Sequence, residues 1–213
     1  MGVLQDREAA RRWFEFLAPG YDAVVPSLFW PPSLQRAALE RLDLAAADRV
    51  LDVGCGTGET IAHLEPDVSA VHGLDLSRPQ LETAAKKDGL EDVRFVRGDA
   101  RSLPYADGTF DCVVSVGSIL YWSDPCETLR AIRRVTKPGG EMLVLGFNRR
   151  PFSWWDPVRN VQDGVASTLF FRYDPEEGTR LFREAGWTDL DHEITGPVWS
   201  PGLVIATTAR KAG

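Results

Sequence analysis

Short apolar segments alternate with amphipathic segments through most of the chain. The apolar segments are rich in β-branched and aromatic side chains, which is typical of strands, while the segments between them have the longer spacing of helices. The predicted strands are VLDVG (50–54), AVHGLDL (70–76), VRFVRGD (93–99), FDCVVSVG (110–117) and EMLVLGF (141–147). The predicted helices are 58–65, 78–87, 124–136 and 174–185.

This alternation predicts the fold class. Strands separated by helices form a parallel sheet that is covered on both faces, and the right-handed crossover rule makes a doubly wound sandwich the default arrangement. Two late segments, 187–194 and 203–210, follow the last helix with only a short loop between them, which predicts a terminal hairpin. We therefore predict an α/β Rossmann-like fold with a seven-stranded, mostly parallel sheet and an antiparallel C-terminal hairpin strand.

Two segments depart from the alternation. Residues 1–45 are predicted to be helical, with breaks at APGYD and WPPS. We predict that they form an N-terminal lid on a core of residues 46–213. Residues 148–173 are long for a loop, and we predict that they form an aromatic cap. Its aromatic residues are Phe152, Trp154, Trp155, Phe170, Phe171 and Tyr173, and we predict that Phe29 and Trp30 of the N-terminal part join this cap. Both segments should lie at the carboxyl end of the sheet, where open α/β folds bind ligands.

Composition excludes several classes of protein. The net charge of −7 disfavours sequence-independent binding to nucleic acid, which requires cations to pair with phosphates. No apolar run is long enough to cross a bilayer, and the N-terminus lacks the apolar core of a secretory signal. We therefore predict a cytoplasmic protein with no membrane span and no nucleic-acid partner.

The cysteines argue against a metal centre. Cys55, Cys112 and Cys126 are odd in number and widely spaced. This pattern favours neither a disulfide framework nor a thiolate zinc site, and we predict no metal site.

The segment LDVGCGTGE (51–59) is the first candidate binding site. Gly54, Gly56 and Gly58 would let the backbone turn sharply behind a strand and let a ligand approach its amides. Asp75 ends the second predicted strand, where a carboxylate can accept hydrogen bonds from both hydroxyls of a ribose. The glycine turn and the acid that follows it together predict a site for an adenosine-type ligand. The alternative is that the glycines serve only tight packing.

The spacing of the loop narrows the ligand class. The loop reads G-x-G-x-G and not the dinucleotide pattern G-x-G-x-x-G, and no Lys-Ser or Lys-Thr pair follows it as in a triphosphate P-loop. Asp52 would repel a pyrophosphate, but it could attract a positively charged amino group. The alternative for Asp52 is a helix-capping acid.

Four blocks together resemble the class I S-adenosylmethionine-dependent methyltransferases. They are LDVGCGTGE, GLDLS, VRGDARSLPYADGTFDCVVS and RVTKPGGEMLV, which occur in the order and spacing of that family over residues 46–147. The terminal hairpin also matches the antiparallel seventh strand of the family. The resemblance implies S-adenosyl-L-methionine as cofactor.

The resemblance also implies cofactor contacts at the ends of the first four strands. Asp52 would attract the ammonium group, directly or through water. Asp75 would hold the ribose hydroxyls, with Leu76 beside the adenine. Asp99 would accept a hydrogen bond from the adenine amino group, the alternative being a plain turn residue. Further implied contacts come from the methionine-binding and adenine-binding backbone at Gly54, Cys55, Gly56, Gly58, Ala100 and Val116.

The sequence gives less specific signals for the residues that contact the methyl acceptor than for those that contact the cofactor. Tyr21 and Asp22 resemble the N-terminal Tyr-Asp of the subgroup that contains the ubiquinone and menaquinone C-methyltransferases, where this segment folds over the cofactor. Tyr21 is therefore a candidate cofactor contact and a candidate catalytic residue, the alternative being a tyrosine packed in a helix hairpin. Tyr121 follows the fourth strand, where relatives often carry histidines, and is the second catalytic candidate. The three histidines are poor candidates for a general base: His63 is predicted inside the helix after the glycine loop, His72 inside the second strand, and His192 in the penultimate strand, away from the expected cleft.

Together these observations predict methyl transfer from S-adenosylmethionine to a small, apolar or aromatic acceptor. The segment SVGSILYW lacks the Asn/Asp-Pro-Pro-aromatic motif of a DNA amino-methylating enzyme and the paired glutamates of a protein-arginine enzyme. Two alternatives stay open: a nicotinamide-dependent oxidoreductase and a non-catalytic S-adenosylmethionine-binding protein. The sequence specifies neither the acceptor atom nor the oligomeric state.

Overall fold

The computed structural model describes residues 28–45, 48–64, 68–149, 160–161, 164–165 and 168–213. Several predicted residues lie outside these ranges, namely Tyr21, Asp22, Phe152, Trp154 and Trp155.

Helices and strands alternate in the order that the sequence predicts. The strands are β1 (Arg49–Val53), β2 (Ala70–Asp75), β3 (Arg94–Arg97), β4 (Phe110–Val116), β5 (Thr136–Asn148), β6 (Arg172–Tyr173), β7 (Thr188–Thr195) and β8 (Val204–Arg210). The helices are α1 (Pro32–Leu39), α2 (Arg78–Ala84), α3 (Pro125–Val135) and α4 (Pro175–Glu184), and two 3₁₀ turns cover Ile61–His63 and Ser118–Tyr121.

The strands form one sheet in the order β3-β2-β1-β4-β5-β8-β7, and the two-residue β6 pairs with β5. Strands β1 to β5 are mutually parallel, whereas β8 runs antiparallel to both β5 and β7. The predicted mostly parallel sheet with its antiparallel hairpin is therefore confirmed, with β6 as an addition. The strand order reverses between β1 and β4, which is where open α/β sheets leave a crevice for a ligand.

The core lies along the central strands and under α3 and α4. Leu51, Val113 and Leu143, on β1, β4 and β5, are fully buried, as expected for parallel strands covered on both faces. Both helices begin at an aspartate followed by proline. The side chain of Asp124 accepts a hydrogen bond from the Glu127 amide, and that of Asp174 forms a capping box with Glu177.

Two local predictions were wrong. Within the predicted helix 58–65, residues 58–64 form turns and the short 3₁₀ turn and no α-helix, because Gly58 has a left-handed φ of 81° and Leu64 is already extended. The fifth strand, predicted over 141–147, begins earlier, at Thr136, so that Pro138-Gly139-Gly140 lies within β5. This sequence forms an irregularity there, since Thr136 pairs with Phe110 and the next pair joins Glu141 to Cys112.

Residues 28–45 connect the carboxyl end of the sheet to the terminal hairpin. Arg41 forms ion pairs with Asp191 and Glu193 of β7. The indole N–H of Trp199 donates to the carbonyl oxygen of Leu28 at 2.9 Å. These contacts hold α1 in place above the crevice. No helix in the described ranges is long and apolar enough to span a membrane.

Candidate active site

A cleft of about 180 Å³ opens at the carboxyl ends of the parallel strands. The cleft is lined by the loop after β1, by the ends of β2 and β4 with the residues that follow them, by the residues after β3, and by Trp30 and Gln35 of the N-terminal segment. Predicted site residues that line the cleft are Gly54, Cys55, Gly56, Asp75, Leu76, Asp99, Ala100, Val116 and Tyr121. Asp52 and Gly58 lie behind the loop and do not line it.

The loop after β1 is folded against the end of β2. The amides of Gly54 and Cys55 both donate to the carbonyl oxygen of Leu74, at 2.7 and 3.1 Å. This pair of hydrogen bonds turns the chain sharply, and Gly54 takes the left-handed φ of 76° that favours glycine.

Protein side chains also approach the glycines closely. A Cβ on Gly54 would collide with Ser118, whose Oγ would lie only 2.6 Å away. A Cβ on Gly56 would lie 2.7 Å from Oε1 of Gln80. Gly58 faces Leu90 in the same way, behind the cleft. Tight packing thus accounts for Gly58, whereas Gly54 and Gly56 combine packing with a position on the cleft.

Asp75 presents a carboxylate in a fixed orientation. Its Oδ2 accepts from the amide of Gly56 at 2.9 Å and its Oδ1 accepts from the amide of Ser77 at 2.7 Å. Burial raises the pKa of Asp75, and the hydrogen bonds from these amides oppose that shift. Because a carboxylate oxygen can accept more than one hydrogen bond, both oxygens can also bind ligand hydroxyls.

Asp52 is buried beneath the loop with 1% of its surface exposed. Neither carboxyl oxygen has a hydrogen-bond partner within the described part of the chain. Burial, reinforced by the charge of Asp75, raises the pKa of Asp52 to about 8. The group is therefore mainly protonated at pH 7, and it would have to release a proton before it could attract an ammonium group.

Asp99 is oriented by a neighbouring arginine. Its Oδ1 accepts from the amide of Arg101 at 3.0 Å, and its Oδ2 forms an ion pair with the Arg101 guanidinium at 3.2 Å. Both residues line the cleft. The arginine holds the carboxylate in one rotamer at the outer end of the site.

The N-terminal segment supplies two residues to the site, Trp30, which was predicted as part of the aromatic cap, and Gln35, which no prediction assigned. Gln35 is buried, its Nε2 donates to the carbonyl oxygen of Trp30 at 2.7 Å, and its Oε1 accepts from the Thr60 hydroxyl at 2.8 Å. The Trp30 indole lies over Gly117, where a Cβ would be 2.9 Å from Nε1. Trp30 and Gln35 both line the cleft. No local sequence pattern predicts the contact between Gln35 and Thr60, because these residues are 25 positions apart in the chain.

None of the histidines lines the cleft. His72 is packed edge-on against Tyr105 and Phe110, and the ring nitrogens of His192 are hydrogen bonded to Thr179 and Thr207. His63 ends the 3₁₀ turn after the loop. No group of acidic, histidine and cysteine side chains within the described ranges could hold a metal ion.

Comparison with known proteins assigns the family. The family model described as "Methyltransferase domain" matches residues 51–144. The demethylmenaquinone methyltransferase of Beutenbergia cavernae is 36% identical over 223 residues, covering 93% of this chain and 89% of that protein. The chain belongs to the class I S-adenosylmethionine-dependent methyltransferases. Its cofactor is S-adenosyl-L-methionine, and the family match favours neither the oxidoreductase nor the non-catalytic alternative.

Two further matches set the limits of this assignment. The 2-methyl-6-phytyl-1,4-hydroquinone methyltransferase of Arabidopsis thaliana is 36% identical over 203 residues, covering 94% of this chain but only 58% of that protein. The chain therefore spans less than two thirds of the plant relatives it matches. The solved structure of the [4+2]-cyclase SpnF has a TM-score of 0.77 at 22% identity, covering 99% of this chain and 97% of that one. A shared fold does not by itself specify the reaction.

The residues present fit the cofactor. An adenosyl group needs a residue near the loop that accepts hydrogen bonds from its hydroxyls, and Asp75 is such a residue. An adenosyl group can also pair with polar groups that have no hydrogen-bond partner within the protein. The cleft contains such a group in Gln80, whose buried Nε2 has no hydrogen-bond partner among the described residues. A small ligand of this polarity would complete the hydrogen bonding of the cleft.

The contact between Gly54 and Ser118 can be tested with a pair of variants. Gly89 also has a positive φ, of 83°, but has open space around it. Gly54→Ala and Gly89→Ala should both lose about 1–2 kcal/mol of unfolding free energy from left-handed strain. Gly54→Ala should lose a further 1–3 kcal/mol or so from overpacking, together with its affinity for S-adenosylhomocysteine. Urea denaturation and calorimetry measure both effects, and equal losses in the two variants would contradict the packing described here.

The buried carboxyl of Asp52 predicts a pH dependence of stability. Its pKa is about 8 in the folded chain and near 3.8 when unfolded, so between these values the folded state holds a proton that the unfolded state has released. Wild-type stability should therefore fall as pH rises through this window. Asp52→Asn cannot titrate, so its stability relative to wild type should rise by up to about 1.4 kcal/mol per pH unit between pH 5 and 8. Urea denaturation at several pH values should reveal this trend, and a difference that does not change with pH would refute it.

Proposed function

We propose that this protein transfers the methyl group of S-adenosylmethionine to a small, apolar or aromatic acceptor. The observation that carries the proposal is the cleft at the switch point of the sheet. On one side of the glycine loop, the carboxylates of Asp75 and Asp99 lie at the end of β2 and after β3. On the other side, aromatic side chains lie near the end of β4. A polar nucleoside half and an apolar acceptor half thus meet at the loop.

In the nucleoside half, we assign Asp75 to the ribose and Asp99 to the adenine amino group, with Leu76 and Ala100 beside the ring. The fixed orientation of both carboxylates supports these roles. The methionine end would lie against the loop backbone of Gly54, Cys55 and Gly56 and near Val116. Asp52 and Gly58, which do not line the cleft, would support the loop from behind.

In the acceptor half, the aromatic side chains form a continuous cluster. The rings of Trp30 and Phe147 are stacked with centroids 5.5 Å apart, and Phe170 meets Phe147 edge-on at 5.8 Å. Tyr121 packs edge-on against Phe170 at 5.6 Å. Trp30 and Tyr121 reach the cleft, so an acceptor there would contact aromatic surface.

The names of two relatives agree with such an acceptor. The Arabidopsis protein is named for a hydroquinone and the Beutenbergia protein for demethylmenaquinone. Both names describe ring systems of the quinone type. We therefore place quinols and phenols first among the acceptors to be tested here.

We also propose that residues 1–45 act as a lid and that 148–173 form a cap over the acceptor half. The contacts of Trp30 and Gln35 with the cleft support the first proposal. The packing of Phe170 against Tyr121 supports the second. Tyr21 remains a candidate contact within the lid.

The chain's own residues would act mainly by positioning. When bound, the cofactor supplies a methyl group attached to a positively charged sulfur, and this sulfur is a good leaving group. The loop and Asp75 would fix the nucleoside, while Trp30 and Tyr121 would orient an acceptor ring and exclude water. Alignment of this kind provides a large part of the rate of a two-substrate transfer. Among the residues that the structure describes, Tyr121 is the candidate for an additional catalytic contact.

Two measurements test the function. Calorimetry with S-adenosylhomocysteine and with NADH should give binding of the first and none of the second. Incubation with labelled S-adenosylmethionine and a panel of quinols, phenols and amines should transfer label to a ring compound. NADH binding without S-adenosylhomocysteine binding would return the oxidoreductase alternative, and cofactor binding without transfer to any acceptor would support a non-catalytic protein.

Asp75→Asn should weaken binding of S-adenosylhomocysteine by about 10- to 100-fold, because one acceptor of the carboxylate becomes a donor. The exposed Asp88 provides a matched control, and Asp88→Asn should bind as wild type does. Titration calorimetry of the three proteins measures the difference. Equal affinities for all three would show that the ribose lies elsewhere.

A further inference from the structure

Gln80 is a buried polar side chain that the family resemblance does not assign to the site. It lies at the start of α2, three residues after Ser77, with 3% of its surface exposed. Leu81 and Ala84 of the same helix are buried against the core and fix the rotation of α2. The side chain of Gln80 consequently lines the cleft and does not reach solvent.

The amide of Gln80 is held at one end only. Its Oε1 lies against Gly56, so close that a Cβ on the glycine would be 2.7 Å away. Its Nε2 is buried and has no hydrogen-bond partner among the residues that the structure describes. Leaving a buried amide donor unpaired is unfavourable, and a native protein usually satisfies such a group with a ligand or water.

Asp75 and Gln80 are complementary in hydrogen bonding. Asp75 can only accept, and Gly56 bridges the two residues because its amide donates to Asp75 while its Cα faces Gln80. A ribose hydroxyl offers one proton and two lone pairs, so a carboxylate alone leaves its oxygen without a donor. A primary amide beside the carboxylate supplies that donor.

We propose that Nε2 of Gln80 donates a hydrogen bond to a ribose hydroxyl of the adenosyl cofactor. Gln80 is then a cofactor-binding residue that distinguishes a ribonucleoside from a deoxynucleoside. This inference rests on the proposed function, since it assumes that the cleft holds the adenosyl group. It adds a donor to the acceptor that Asp75 provides.

The test compares the wild type and two variants, each with three ligands. Gln80→Met keeps an unbranched side chain of similar length but removes the donor, and Glu82→Met, on the exposed face of the same helix, is the matched control. The ligands are S-adenosylhomocysteine and its 2′-deoxy and 3′-deoxy analogues, each titrated by calorimetry. Thermal melts establish that the variants are folded, and Gln80→Leu replaces Gln80→Met if the latter does not fold.

We expect Gln80→Met to bind S-adenosylhomocysteine about 10-fold more weakly than wild type. For the analogue that lacks the partner hydroxyl, wild type and Gln80→Met should bind with nearly equal affinity. Glu82→Met should match wild type for all three ligands.

Either of two results would overturn the inference while leaving the function intact: unchanged affinity of Gln80→Met for S-adenosylhomocysteine, or an equal loss for all three ligands. Absence of S-adenosylhomocysteine binding by the wild type would instead overturn the proposed function, and the inference with it.

Discussion

The cleft depends on how the chain leaves β1. Two successive amides, those of Gly54 and Cys55, converge on the carbonyl oxygen of Leu74 in β2, and this fixes the turn. Ser118 then fills the space beside Gly54, with its hydroxyl donating to the carbonyl oxygen of Val53 at 2.9 Å. The ends of β1, β2 and β4 are thereby joined around the crevice by hydrogen bonds and packing within the protein. Sites whose shape is fixed in this way bind without a large ordering cost.

The polar groups around this turn are not fully satisfied by the protein. Asp52 has a buried carboxyl without a partner, and Gln80 has a buried amide donor without one, both within the described residues. Asp52 limits the cost by remaining protonated, as its pKa of about 8 indicates. A polar ligand could provide the missing partner for Gln80. The cost of burying the unpaired amide of Gln80 and the affinity of the cleft for a polar nucleoside would then have the same origin.

Local patterns in the sequence were enough to predict the sheet and the residues at the ends of β2 and β3 that line the cleft. Strand periodicity, the aspartate-proline helix starts and the glycine loop all depend on neighbours within a few residues. The predictions failed where a competing local rule applied, as in 58–65, where Gly58 prevents the start of a helix. They also missed Gln35, because its contact with Thr60 joins segments far apart in the chain. The inward direction of Gln80 depends on the rotation of α2, which its neighbours Leu81 and Ala84 fix only in the folded protein.

The most direct test of the central claim is a crystal structure of the protein with S-adenosylhomocysteine. We predict density for the nucleoside at the turn after β1, with its ribose at Asp75 and its adenine near Asp99. Density for the ligand elsewhere, or a compound with two phosphates bound at that turn, would contradict the account.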